Sequence, residues 1–138
     1  MYGAFVLVAI VASVQALLLH THMFNGKAYT EYNNYVIFRQ SFYHLLAGKN
    51  LYVLYPDEYW DLYKYSPSFS LAMGALAYLP DYIGLNIWNV LNALVLYKAI
   101  RMLPFKMETQ TQLLWFVLLE LLTSMQNSQS NEIGRAHV

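Results

Sequence analysis

Most of the side chains able to do chemistry crowd into one stretch, from Glu31 to Tyr65. It holds the carboxylates Glu31, Asp57, Glu58 and Asp61 and the cations Arg39, Lys49 and Lys64. A carboxylate beside apolar surface has its pKa raised toward the working range and can act as a general base. A lysine or arginine can steady the charge that develops on a phosphate. Each residue also has a plainer reading. Glu31 is either a base or a solvated loop charge. Asp57, Glu58 and Asp61 follow Pro56 in an expected turn, where solvation accounts for them, although Asp61 is near Lys64 in sequence. Lys64 either holds a phosphate or snorkels beside a membrane, and Arg39, on the polar side of an expected helix, has the same two readings.

The remaining polar residues call for neither metal nor cofactor. His20 and His22 are two positions apart, so a helix would point them in different directions. His44 reads as an interface residue. Cysteine is absent, which removes disulfides, thiolate ligands and thiol nucleophiles. No glycine-rich nucleotide loop occurs. The formal net charge is zero, so nothing suggests a nucleic-acid partner.

The elements that position these residues are set by an uneven charge distribution. Only 12% of the 138 residues are charged, about half the share in an average soluble domain. Residues 1–26 contain no Asp, Glu, Lys or Arg at all. An apolar helix needs roughly 20 residues to cross a hydrocarbon core. Spans are therefore expected at about 1–19, 82–100 and 111–125. The last carries Glu120, which either faces a bundle interior or sits near a helix end. Pro67–Leu79 is apolar but too short to cross, and reads as an interfacial or re-entrant hairpin. Asn34–Ala47 places Tyr35, Phe38, Phe42, Leu45 and Leu46 on one face, which predicts a helix lying on the membrane surface. Asn33 or Asn34 would cap its start and Gly48 its end.

The fold class expected is thus all-α: a polytopic integral membrane protein with about three spans plus juxtamembrane helices. Nine of the thirteen tyrosines lie between Tyr29 and Tyr65. Such a cluster suits either an interfacial belt or a platform for stacking sugars. Lys98, Arg101 and Lys106 crowd one short loop, which the positive-inside rule puts in the cytoplasm. With Pro67–Leu79 as a hairpin, the tyrosine-rich loop at 20–80 falls outside.

Several pieces in order resemble glycosyltransferase family 87, of the C-type polytopic membrane glycosyltransferase superfamily. They are Leu-Leu-Ala-Gly-Lys-Asn-Leu-Tyr at Leu45–Tyr52, Lys-Tyr-Ser-Pro at Lys64–Pro67, and Trp-Asn-x-Leu-Asn at Trp88–Asn92. Asn127–Asn131 resembles the family's Gly-Gln-x-Asn element, with Ser128 in place of glycine. The resemblance implies transfer of a hexose, mannose for example, from a polyprenyl-phosphate donor to a cell-envelope glycan or glycolipid acceptor. It implies a multi-pass protein of the cell inner membrane, its partners being the lipid bilayer, that donor and that acceptor. Counting back from Gly48, the family's catalytic aspartate falls at Asn34, and asparagine cannot take a proton at ordinary pH. Glu31, three residues earlier, is the expected substitute base. Arg39, Lys64 and Tyr65 would bind the donor's phosphate end, while Gln129 and Asn131 would line the sugar site. The substitution at Asn34 keeps a second class open, a non-catalytic polytopic protein such as a carrier-lipid transporter or scaffold.

The tail has its own reading. Ile133–Val138 back-translates as the start of a widely used sequencing adapter, so 132–138 is expected to be read-through from a gene cut at about Glu132. On that reading the sequence is an N-terminal piece, inactive alone.

Overall fold

A computed structural model describes residues 1–19 and 21–135, with side chains at all of these except 22 and 124–135. The order of elements is α1 (Tyr2–Leu18), β1 (His22–Phe24), β2 (Lys27–Tyr29), α2 (Asn33–Leu46), α3 (Pro67–Ala77), α4 (Asp81–Arg101) and α5 (Met107–Arg135). The protein is mostly helical, as composition leads one to expect. It is not all-α, because β1 and β2 form an antiparallel hairpin with Phe24 opposite Lys27. Asn25 and Gly26 turn the hairpin with φ of 50° and 78°. An Asn-Gly pair with positive φ at both positions suits a two-residue hairpin turn, because its twist matches that of the strands.

Among the described residues, α4 is the helix long and apolar enough to cross a membrane. Its 21 residues make about 32 Å of helix, close to the thickness of a hydrocarbon core. α1 is as apolar but has 17 residues, about 26 Å. α3 is a single helix of 11 residues, about 16 Å, shorter than a hydrocarbon core is thick. Ser66 starts it: its Oγ accepts a hydrogen bond from the Phe69 N–H at 3.3 Å, and Pro67 follows where no N–H is needed. α5 corrects the expected short span at 111–125. It is 29 residues long, beginning at Met107 and running on past Met125.

The chain divides into two compact units, Met1–Ala12 with Asn89–Val138, and Ser13–Trp88. In the first, Phe5, Ala9, Ala93, Ile100, Leu114 and Leu118 form the core. Gln110 is buried there, and its Nε2 donates to the carbonyls of Leu103 and Phe105 at 2.8 and 3.2 Å. One amide thereby donates to two carbonyls of the turn between α4 and α5, beside the bond that the Leu103 carbonyl also accepts from the Phe105 N–H. Glu120 is exposed on α5 rather than turned into this core.

The second unit is built around α2, and here the surface-helix expectation is corrected. Tyr35, Val36, Ile37 and Phe38 are all buried. Four consecutive residues at 100° steps cover most of a helix's circumference, so α2 is wrapped by protein and has no broad face left to lay on a bilayer. The Asn cap also differs from expectation. Tyr32 occupies the N-cap without a side-chain bond, while the buried Asn33 Oδ1 accepts from the Trp60 N–H at 3.3 Å. The end is as expected. Gly48 has φ of 64°, the Gly48 N–H donates to Leu45 O at 3.2 Å, and the Lys49 N–H donates to His44 O at 2.9 Å. This is the paired closure that a left-handed residue after a helix allows.

The tyrosines explain how residues 47–66, which have no regular structure, stay folded. Tyr35, Tyr59 and Tyr63 are fully buried within the core, alongside Ile37, Met73 and Leu85. Tyr63 and others, from the buried Tyr29 to the exposed Tyr43, donate the hydroxyl to a loop or helix-end carbonyl. Tyr29 reaches Pro56 O at 2.8 Å, Tyr55 reaches Asn50 O at 2.8 Å, Tyr63 reaches Ser66 O at 2.6 Å and Tyr43 reaches Ala77 O at 2.7 Å. A long irregular segment must pair its carbonyls without a ladder, and tyrosine supplies apolar area and a donor together. Expected as an interfacial belt, many of these residues are instead the core and staples of a folded unit.

Candidate functional site

Within the second unit a cavity of about 310 Å³ opens at the meeting of four elements. β2 and the turn after it bring Lys27, Tyr29 and Thr30; α2 brings Val36, Arg39 and Gln40. Residues 47–66 contribute Asp57 and Glu58, and the first residue of α4 contributes Asp81. Asp81 is well placed electrostatically, since a carboxylate in the first turn of a helix faces the positive end of its dipole.

Its charges are arranged in pairs. Arg39 donates Nη1 to Asp81 Oδ1, and the Tyr32 hydroxyl donates to Asp81 Oδ2 at 3.3 Å. Both members of the Arg39–Asp81 pair are about three-quarters buried. Lys27 Nζ meets Asp57 Oδ1 at 2.5 Å near the rim. The hydrogen bond and charge of Lys27 hold the Asp57 carboxyl below its ordinary range. Glu58 is backed by His44, with Nε2 at 3.1 Å from Oε2 and 3.2 Å from Oε1. The His44 ring lies 3.9 Å from that of Tyr55. Burial raises the phenols of Tyr32 and Tyr35, and the Asp81 charge adds to it.

The expected site residues are dispersed around this cavity. Arg39 lines it, paired with Asp81. Glu31 is half-buried in the turn before α2, between Thr30, which lines the cavity, and Tyr32, which binds Asp81. Asn34 is exposed on the first turn of α2. Lys64 is exposed and holds both oxygens of Asp61 at 2.9–3.0 Å. That contact and the Leu62 N–H keep the Asp61 carboxyl low. Tyr65 is half exposed, its ring 5.1 Å from those of Phe38 and Phe69. The side chains of Gln129 and Asn131, and those of His20, His22 and His137, lie outside the described residues.

Three contributors are not legible as site residues in the sequence. Glu58 reads as solvated and His44 as an interface residue, yet they form a partly buried pair. Asp81 carries only the local signal of a helix start, Pro-Asp before an apolar run. Its partner lies 42 residues away, and no local pattern encodes that distance. Among the described residues, no group of three or more His, Asp or Glu side chains could hold a metal ion. No protein-family model, curated protein or solved structure matches this chain.

Proposed function

We propose that the chain belongs to a multi-pass protein of the cell inner membrane that transfers a hexose, mannose for example, from a polyprenyl-phosphate donor to a glycan or glycolipid of the cell envelope. The observation that supports this most is the double role of Asp81. It lines the polar cavity and is also the first residue of α4, the helix long and apolar enough to cross a membrane. A lipid-linked donor presents its sugar at such a boundary. In the reaction, an acceptor hydroxyl oxygen attacks the anomeric carbon, the bond from that carbon to the phosphate oxygen breaks, and a carboxylate takes the hydroxyl proton. Polyprenyl phosphate leaves. Glu31 is the base in this reading, and Asn34 marks the position beside it.

Of the two cations proposed for the donor phosphate, Lys64 is the easier to recruit. Its pair with Asp61 is largely exposed, and exposed ion pairs are worth about 0–1 kcal/mol. Exchanging Asp61 for a phosphate therefore costs little. Tyr65, its chain neighbour, offers a ring and a hydroxyl beside it. Arg39, better buried against Asp81, shapes the cavity wall.

Exposed apolar side chains on α1 and α4, such as Leu7, Val11, Leu18, Leu91 and Val95, support burial in lipid. A cysteine at Asn50 or at Lys106 tests the topology, since these 138 residues contain no cysteine. In intact cells an impermeant thiol reagent is expected to label Asn50→Cys and to spare Lys106→Cys. Labelling of both sites would overturn the proposed topology. The activity test is transfer of radiolabelled hexose from its polyprenyl phosphate into membranes of cells expressing the whole gene. No transfer above control membranes with any donor would favour the non-catalytic class, a carrier-lipid transporter or scaffold. That class draws on one observation, that Arg39 and Lys64 are both already neutralised by aspartates.

A further inference from the structure

We infer that the cavity between β2, α2 and the start of α4 binds an uncharged polyhydroxylated ligand, of about one sugar ring or cyclitol, and rejects phosphate. Charge carries the inference. Two cationic and three anionic side chains line the cavity, so the formal charge of its lining is negative. Neither cation is free: Lys27 is held by Asp57 and Arg39 by Asp81. A phosphate brought here meets three carboxylates; the exposed Lys27–Asp57 pair at the rim resists it little, but Arg39 can reach it only by giving up Asp81, against which it is about three-quarters buried. A neutral polyol meets no such barrier. Carboxylates accept from hydroxyl donors with lone pairs left over from their salt bridges, and the Gln40 amide can both donate and accept. Glu58, fixed by His44 from behind, presents an acceptor whose orientation is already set. At about 310 Å³ the cavity is at the small end of ligand pockets, which limits the occupant to a single ring.

As an acceptor subsite this assignment rests on the transferase reading; as a binding site it does not. The test uses the full chain in a sugar-free polyoxyethylene detergent, because alkyl glycosides would compete. Saturation-transfer NMR is recorded with methyl α-mannopyranoside and with myo-inositol, each with and without an equal concentration of inorganic phosphate. At least one polyol is expected to be saturated, phosphate is expected not to displace it, and Gln40→Leu and Glu58→Gln are each expected to weaken binding tenfold or more. Circular dichroism checks that both variants keep the fold. Displacement by phosphate, unchanged binding in both folded variants, or no saturation of either polyol would each overturn the inference. Polyol binding without any transfer in membranes would leave the cavity standing and remove the transferase. Transfer with unchanged polyol binding in both variants would do the reverse.

Discussion

Glu31→Gln, made in the whole gene, is expected to lower hexose transfer by a hundredfold or more, about 2.7 kcal/mol in the barrier. The substitution keeps size and hydrogen-bonding capacity and removes the charge that accepts a proton. Position motivates the choice: Glu31 sits between Thr30, in the cavity wall, and Tyr32, hydrogen-bonded to Asp81. Two comparisons make the result decisive. Asn34 is exposed on α2, so Asn34→Asp should fold, and a rise in transfer would show that a carboxylate at that position can work. Glu58 lines the cavity itself with His44 behind it. Near-normal transfer in Glu31→Gln together with a hundredfold loss in Glu58→Gln would move the base role to Glu58.

The second large effect concerns stability. Tyr59→Ala is expected to destabilise the tyrosine-rich unit by about 3–5 kcal/mol, the range for deleting a buried aromatic ring. Tyr59 is fully buried, in contact with the rings of Tyr55 and His44 at 6.0 and 6.3 Å. Tyr59→Phe should behave very differently. The Tyr59 hydroxyl is buried with no hydrogen-bond partner, so removing it should cost nothing or stabilise by about 1 kcal/mol. The pair thus separates ring packing from the hydroxyl.

Titration gives the same residue a second signature. Burial raises the Tyr59 phenol well above its ordinary 10.0, and the charge of Glu58 adds to that. The folded state therefore keeps a proton that the unfolded chain gives up. The resulting stability is fully present below about pH 10 and is lost as pH rises from there toward the folded value. The loss runs at up to about 1.4 kcal/mol per pH unit for one group. Denaturation in detergent followed by tryptophan fluorescence, at about pH 8 and about pH 11, should show the wild type losing more stability than Tyr59→Phe. Equal losses in the two proteins would mean that Tyr59 ionises alike in both states. Tyr32 and Tyr35, raised in the same direction, supply the slope that remains.

Much of the helical framework was written in the chain itself. Twenty-six residues without a charge, the Ser66-Pro67 start, the left-handed Gly48 and the apolar run after Pro80 each act over a few neighbours, and each produced its element within a residue or two. The hairpin was equally legible: Asn25-Gly26 is a local turn signal, and an expectation of helices alone overlooked it. Local signals suffice for such features because a helix end or a two-residue turn is decided by bonds that close within about five residues.

The site was not legible in this way. Lys27 with Asp57, Arg39 with Asp81, and Tyr29 with Pro56 join residues 27 to 42 positions apart. Sequence alone reads Asp57 as solvated and Arg39 as a phosphate binder or a snorkelling cation, because the identity of a partner depends on how residues 47–66 return across α2. The tyrosines show the same limit. Their number marked the segment as unusual, and their amphipathic chemistry suits a bilayer interface and a protein core equally. Only tertiary structure decided between the two, by placing loop carbonyls within reach of their hydroxyls. The sequence determined where α1–α4 begin and end, though not α5, since the bonds at a helix end are local. Which carboxylate neutralises which cation, and so which ligand the cavity can accept, was decided by long-range packing.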